Sequence, residues 1–369
     1  MEIGIDSFAA ILPDPQTGKL PTATERMANL IEEVEVADRA GLDVFGIGEH
    51  HRAEFLDSAP AIILAAAAAR TSQIRLASAV TIISAADPVR VFQEFATLDL
   101  IAKGRAEIVV GRGSFAEAFP LFGLAARDYG DLFAEKLDLL LKLREATHVK
   151  WKGRFRPALD LQGIYPRPHQ ARLPIWIGVG GTPDSFIRAG TLGLPLMIAI
   201  IGGTFERFRP LVDMYREAGA RAGHSPEKLS VGVHAMGFVG ESDAIAADSF
   251  FPGWAHLTAK IGRERGWAPP TRQQFDNMAG PEGAFLVGSP ATVAAKMLYA
   301  SEVLGGLLRI TFQMSTASLE TSAMKRSIEL LGTEVAPIIR GFRETTAHAG
   351  PSVMRSKAHL ESSSQREDF

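Results

Sequence analysis

Short apolar runs and longer stretches of helical spacing alternate along this chain. Runs at 3–8, 44–48, 74–80, 106–110, 175–179, 196–201, 231–238 and 307–312 have the length and bounding glycines of buried strands. Between them apolar residues recur three and four apart. Thr22-Ala-Thr-Glu25 reads as a capping box opening a helix that carries Met27, Leu30, Ile31, Val34 and Ala37 on one face, with Gly41 as its stop. An alanine-rich helix follows from Pro60 to near Arg70, and Asp87-Pro88 is an N-cap with proline at the first helical position. Further helices are expected over 132–146, 183–193, 205–220 and 290–304, with a final helix, whole or broken, over 319–340. Eight strands alternating with helices predict an α/β fold, a (β/α)8 TIM-like barrel, with a doubly wound open sheet as runner-up.

Three segments break the period. Residues 114–130 and 151–173 are irregular and proline-bearing, and 242–288 is longer than one helix needs, with Pro252, Pro269 and Pro270 expected to break it. These read as insertions after strands 4 and 7, the kind of excursion that covers a site. The tail is rich in Ser, Arg and His and reads as disordered, leaving a single domain over 1–343 and a tail over 344–369.

Composition narrows the chemistry. With 46% hydrophobic and 22% charged residues, net charge −3 and pI near 6.3, the 369-residue chain has no basic footprint for nucleic acid or an anionic membrane. It contains no cysteine, which removes disulfides, thiolate metal sites and thiol nucleophiles. The opening Glu2-Ile-Gly-Ile-Asp-Ser-Phe8 shows no signal-peptide pattern, and the most apolar run, 60–69, is too short to span a bilayer, so a cytoplasmic location is expected.

The second strand ends in Glu49-His50-His51, the pattern of a barrel strand delivering ionisable groups to a site at its C-terminal end. A histidine after a strand is also commonly a structural hydrogen-bonding residue. Metal binding by the pair is disfavoured, since neighbouring side chains on an extended segment point apart and no H-x-H or H-E-x-x-H spacing completes a site. Glycine clusters follow three strands, at Gly111-Arg112-Gly113, Gly178 to Gly181 and Gly202-Gly203. The middle one opens a helix at Thr182-Pro183 whose free N–H groups favour an anion, a phosphate above all; a plain tight turn is the even alternative. Gly111 to Ala116 matches G-x-G-x-x-A formally, but Pro120 breaks the helix that a dinucleotide fingerprint requires. No G-x-S-x-G elbow is present.

Asp43 to His51, Asp87 to Asp99 with Gly104-Arg105, Val110 to Gly113, Pro174 to Gly178 with Gly180 to Pro183, and Phe285 to Pro290 together resemble, in order, the bacterial luciferase-like flavin-dependent monooxygenases. The resemblance spans Met1 to about Arg343. It implies a barrel that binds FMN at the C-terminal ends of its strands, with His50 at the flavin and His51 and Glu49 supporting it. It also implies cofactor contacts from Arg112 and Gly113, a phosphate turn at Gly180, Gly181, Thr182 and Ser185, and a non-proline cis peptide at Ser78-Ala79 under the flavin ring. The reactive cysteine of luciferases is absent, so light emission is not implied.

The expected reaction is a two-component one. A separate flavin reductase delivers reduced FMN, O2 is the co-substrate, and a C4a-peroxyflavin oxidises a small organic substrate. The alternatives are hydride transfer with a deazaflavin coenzyme and a non-catalytic flavin-binding protein; a phosphate-binding aldolase or isomerase barrel is disfavoured because no lysine stands at a strand end. No metal is expected. Phe8, Met197, Met236 and Phe312 are candidates for an apolar pocket and equally ordinary core positions. The resemblance further implies a homodimer through the second and third barrel helices.

Overall fold

The computed structural model describes residues 1–14, 17–113, 115–316 and 320–348, with the backbone alone from 343. Its strands are β1 (Glu2–Ser7), β2 (Val44–Ile47), β3 (Arg75–Ser78), β4 (Thr81–Ile82), β5 (Ala106–Gly111), β6 (His148–Trp151), β7 (Leu159–Gly163), β8 (Ile175–Val179), β9 (Leu196–Ile200), β10 (Val231–Val239), β11 (Leu286–Gly288) and β12 (Arg309–Gln313). The helices are α1 (Ala23–Arg39), α2 (Pro60–Ala68), α3 (Pro88–Ile101), α4 (Ala118–Leu121), α5 (Tyr129–Glu145), α6 (Pro183–Thr191), α7 (Arg209–Arg221), α8 (Asp243–Arg265), α9 (Arg272–Ala279), α10 (Pro290–Val303), α11 (Thr321–Leu330) and α12 (Ala336–His348). Among the described residues no helix is long and apolar enough to cross a membrane.

The parallel order β1-β2-β3-β5-β8-β9-β10-β12 returns to β1, with Glu2 beside Arg309 and Asp6 beside Gln313, so the sheet closes into an eight-stranded barrel. Closure leaves no edge in the barrel wall. Alternation then sorts the side chains. Ile3, Ile5, Phe45, Leu76, Ile108, Ile177, Ile198, Val233 and Phe312 face outward into the core shared with the helices. Val44, Ala77, Val109, Trp176 and Met197 fill the middle of the barrel. Below them Arg309 lies over the Trp176 ring and donates to Glu107 at 2.7 and 3.2 Å and to Glu2 at 2.8 Å, a buried ionic floor.

Several local expectations hold. Thr22 and Glu25 make both bonds of the capping box, and Asp87 accepts from Val89 and Arg90 as N-cap. Others are corrected. Pro252 does not break its helix: α8 runs 23 residues through it. An internal proline costs about 3 kcal/mol, and burial of Phe250, Trp254 and Leu257 offsets that cost. The stretch 151–173 is not wholly irregular: it supplies β7, which pairs antiparallel with β6 just before it, and the alternation of β6, confined to Val149 and Trp151, is too short to read as a period. Of the expected tail over 344–369, residues 344–348 continue the α12 backbone. Residues 349–369 lie outside those described.

Candidate active site

The upper lumen is shaped by what β2 lacks. Above Val44 the next two inward positions, Gly46 of β2 and Gly48 just past its end, are glycines; a Cβ at Gly46 would collide with the Asp6 carboxylate and press on Ala79, while one at Gly48 would press on Asp57 and Phe8. Gly111 and Gly178 make the same concession to the Val80 side chain. One side of the lumen is thus lined by small residues, and the facing side by Asp6, His234, Thr311 and Gln313, all buried.

The Glu49-His50-His51 triplet divides. His50 turns into the mouth, where its Nδ1–H donates to Asp57 Oδ2 at 2.8 Å and its ring lies 4.4 Å from Phe8 and 4.6 Å from Phe55. Asp57 is fully buried, and its other carboxylate oxygen has no partner. Burial pushes its carboxyl above the ordinary range, against the lowering pull of His50. With Nδ1 committed to Asp57, the free nitrogen of His50 is Nε2, the arrangement of a base oriented by a buried carboxylate. His51 Nε2 instead lies 3.3 Å from Glu49 Oε1, and the other Glu49 oxygen accepts from the Ile82 N–H at 2.8 Å. Glu49 and His51 therefore tie the end of β2 to β4, and the residue that holds His50 is Asp57. No period in its loop marks Asp57 in the sequence.

A second pair lies deeper. His234 on β10 donates from Nδ1 to Asp6 Oδ2 at 2.5 Å, and the Thr311 hydroxyl donates to the same oxygen. The His234 ring stacks on Phe8 at 5.8 Å, so Phe8 is flanked by both histidines. The only local sign of this pair in the sequence is a histidine within the otherwise apolar run of β10.

The non-proline cis peptide lies at Ala79–Val80, one bond beyond Ser78-Ala79. Ser78 is fully buried, and its hydroxyl donates to Val109 O and accepts from Val109 N, both at 3.0 Å, which replaces ladder bonds where β3 parts from β5. Ala79 is the member of that pair beside the lumen, against Gly46.

The residues expected to form a phosphate turn lie around the start of α6. Thr182 is the N-cap of α6 but makes no side-chain cap bond; its hydroxyl accepts from Arg112 Nη2 at 3.3 Å. Arg112 also lies 4.7 Å over the Tyr129 ring. Gly180 and Gly181 are exposed, and a Cβ on either would meet nothing within 4 Å. Ser185 is buried in the first turn of α6, its N–H on Thr182 O at 3.0 Å. Gly113 is left-handed at φ +80° and packs on Ile82. An uncapped helix start, bare backbone and a guanidinium are the chemistry of an anion site.

Above the mouth, Phe8, Phe55 and Phe115 meet Leu257 and Ile261 of α8. Arg52 fixes this roof: it lies 4.9 Å over Phe115, donates to Glu54 at 3.1 Å and Glu264 at 2.6 Å, and also to Glu117. These carboxylates raise the Arg52 pKa, and Glu54, against the cost of burial, is held at about 2 by Arg52 and Lys260. Of the four expected pocket residues, Phe8 fronts the mouth and Met197 sits below it, while Phe312 faces the helices and Met236 accepts from Thr316 at 3.5 Å. Among the described residues no three or more His, Cys, Asp or Glu side chains are grouped to hold a metal.

A closed parallel barrel with ionisable groups at the C-terminal ends of its strands defines the class, a barrel of the TIM type. The chain belongs to the luciferase-like monooxygenase family, whose model matches residues 1–306, and it is an enzyme of the oxidoreductase class. It is 26% identical to 4-hydroxyprotoasukamycin monooxygenase of Streptomyces nodosus subsp. asukaensis, over 84% of this chain and 86% of that one. In fold it is similar to the oxygenating constituent of 3,6-diketocamphane monooxygenase from Pseudomonas putida, solved with FMN (TM-score 0.71, 22% identity, 91% of this chain and 98% of that). It is also similar to the coenzyme F420-dependent tetrahydromethanopterin reductase of Methanopyrus kandleri (TM-score 0.69, 19% identity, 91% and 98%).

Proposed function

We propose that this protein is a two-component FMN-dependent monooxygenase, taking reduced FMN from a separate cytoplasmic reductase and using O2 to oxidise a small organic substrate. The observation that supports the reading is the contact of Arg112 with the uncapped Thr182 turn, which follows β8 at the same end of the parallel barrel at which His50 follows β2. The residues fit the cofactor. Arg112, Gly180, Gly181, Thr182 and Ser185 would hold its phosphate, Gly113 supplies the turn beside Arg112, and the small-residue wall of Gly46, Ala79, Gly111 and Gly178 leaves room for a planar ring. When bound, reduced FMN supplies the electrons that activate O2.

The chain's own residues do the rest. Asp57 keeps the His50 proton on Nδ1, so that Nε2 takes or returns a proton at the reacting group. Glu49 and His51 hold β4 beside the small-residue wall of the lumen. The Arg52 roof with α8 excludes water, which would otherwise divert the reaction to hydrogen peroxide. A homodimer through α2 and α3 suits their surfaces, where Ile62, Leu100 and Ile101 are exposed beside small side chains.

The second reading, hydride transfer with a deazaflavin, is favoured by fold likeness to F420-dependent proteins. Anaerobic titration of the full chain with reduced FMN and with deazaflavin, followed by admission of O2 and assay of oxygenated product, separates the two. Tighter FMN binding and oxygen incorporation are expected; tighter deazaflavin binding without oxygen consumption overturns the proposal. Arg112→Ala should weaken FMN at least tenfold, and Ile62→Glu should give a monomer mass in solution.

A further inference from the structure

The deeper pair, His234 with Asp6, is left unused by the reaction as described. It is built with the same parts as the His50–Asp57 pair: a buried aspartate on Nδ1, Nε2 free of any such partner, and one face of Phe8. Gly46 is the cut-out for Asp6 and Gly48 the cut-out for Asp57. These positions lie two residues apart on one strand, about 7 Å, so the two pairs stand at successive depths of one lumen.

Their surroundings restrict what they serve. Phe8, Phe55 and Phe115 meet at centroid distances of 6.1 and 6.3 Å, with His50 5.6 Å from Phe115, an array of aromatic faces and edges. Phe8, His50 and Phe115 are only half-buried, so these rings front open space. An anionic substrate is disfavoured by two buried aspartates and by the commitment of Arg52 to three glutamates. A bare hydrocarbon would leave the buried His234 Nε2 without a hydrogen-bond partner.

We propose that His234 is a second base of this site and that the substrate is an aromatic ring carrying a phenol-type hydroxyl, seated among the open edges of Phe8 and Phe115 with its O–H on His234 Nε2. The proposal rests on the reading of the mouth as a flavin-dependent oxidation site. In the step, the O–H bond breaks, an N–H bond forms at Nε2, and the electron pair stays on the phenolic oxygen. The imidazolium is neutralised by the Asp6 carboxylate, which the Thr311 hydroxyl holds in place. A phenol of pKa about 10, like a tyrosine side chain, surrenders its proton to an imidazole far more readily than an aliphatic alcohol does. The phenolate so formed is the electron-rich ring that an oxidation at carbon requires.

The test uses 4-nitrophenol, whose absorbance reports its ionisation, and nitrobenzene, which lacks the hydroxyl. Both are titrated into the full chain with and without FMN, each against a matched reference, in buffer below the probe's own pKa. The wild type should bind 4-nitrophenol as the phenolate. His234→Gln should lose that phenolate spectrum and bind at least tenfold more weakly, with nitrobenzene binding unchanged. Asp6→Asn, which keeps an acceptor for Thr311, should give a smaller phenolate fraction and serves if His234→Gln does not fold. Equal ionisation in wild type and both variants, or failure of the wild type to bind either probe, overturns the proposal. Failure of the flavin reading shows separately, as absence of FMN binding with the phenolate shift intact in the FMN-free chain.

Discussion

In the role proposed for it, Asp57 orients His50 at a cost to stability. Its carboxyl is raised by burial, so the folded state holds that proton more tightly than the unfolded chain. The sign follows: relative stability is fullest below the ordinary aspartate value of about 3.8 and declines as pH rises through the raised value. Asp57→Asn should therefore match or exceed the wild type in denaturant stability at neutral pH, with its advantage shrinking as the medium is acidified. The same variant presents His50 with the wrong tautomer, and turnover should fall about 10²-fold or more. Urea melts at pH 4, near the ordinary aspartate value, and at pH 7.5, with kcat at the higher pH, check both; a variant that loses stability and keeps turnover contradicts the role assigned to Asp57. His50 was legible in the sequence because it ends a strand. Its partner was not, because an aspartate in an aperiodic loop is marked only by the fold that buries it.

At the scale of elements, β2 and α8 carry the contrasts. Gly46→Ala forces a methyl into the Asp6 carboxylate, and overpacking of this kind costs about 1–3 kcal/mol, to be read as a lowered denaturation midpoint. Gly180→Ala places its methyl in open space, so stability should stay within about 0.5 kcal/mol while FMN affinity drops if bare backbone faces the phosphate. The roof adds a pH signature. Glu54, with an ordinary value of 4.5, is held at about 2, so its contribution is complete above about 4.5 and is lost as pH falls through about 2. Tryptophan fluorescence from Trp254 and Trp267 should report loosening of α8 in that window, and Glu54→Gln should show the loosened signal already at neutral pH. Strand positions and the caps of α1 and α3 were legible because they rest on local periodicity and local hydrogen bonds. The helix through Pro252 was not, because its stabilisation comes from distant apolar partners.

The whole molecule is held closed at its floor. Arg309 joins the start of β12 to β1 through Glu2 and reaches across the lumen to Glu107 on β5. Removing a buried charge while its partner stays behind costs about 3–5 kcal/mol. Arg309→Met should lose that much in chemical denaturation, and Arg309→Met with Glu107→Gln should recover part of it. A single variant within 1 kcal/mol of the wild type would show that the floor is not a stabilising ion cluster. Because the floor lies at the opposite end of the barrel from His50, FMN affinity of the folded variant should be unchanged.

The sequence by itself determined the alternation of strands and helices, and hence the barrel, since burial period and capping chemistry act over a few residues. It also determined that His50, Arg112 and the Gly180–Thr182 turn lie on one rim, because every strand of a parallel barrel points the same way. Only the tertiary structure decided the partnerships: Asp57 for His50, Asp6 for His234, Thr182 for Arg112, and Ser78 for the backbone of β5. Each joins residues that local pattern does not relate, and each is selected by which groups closure leaves without water.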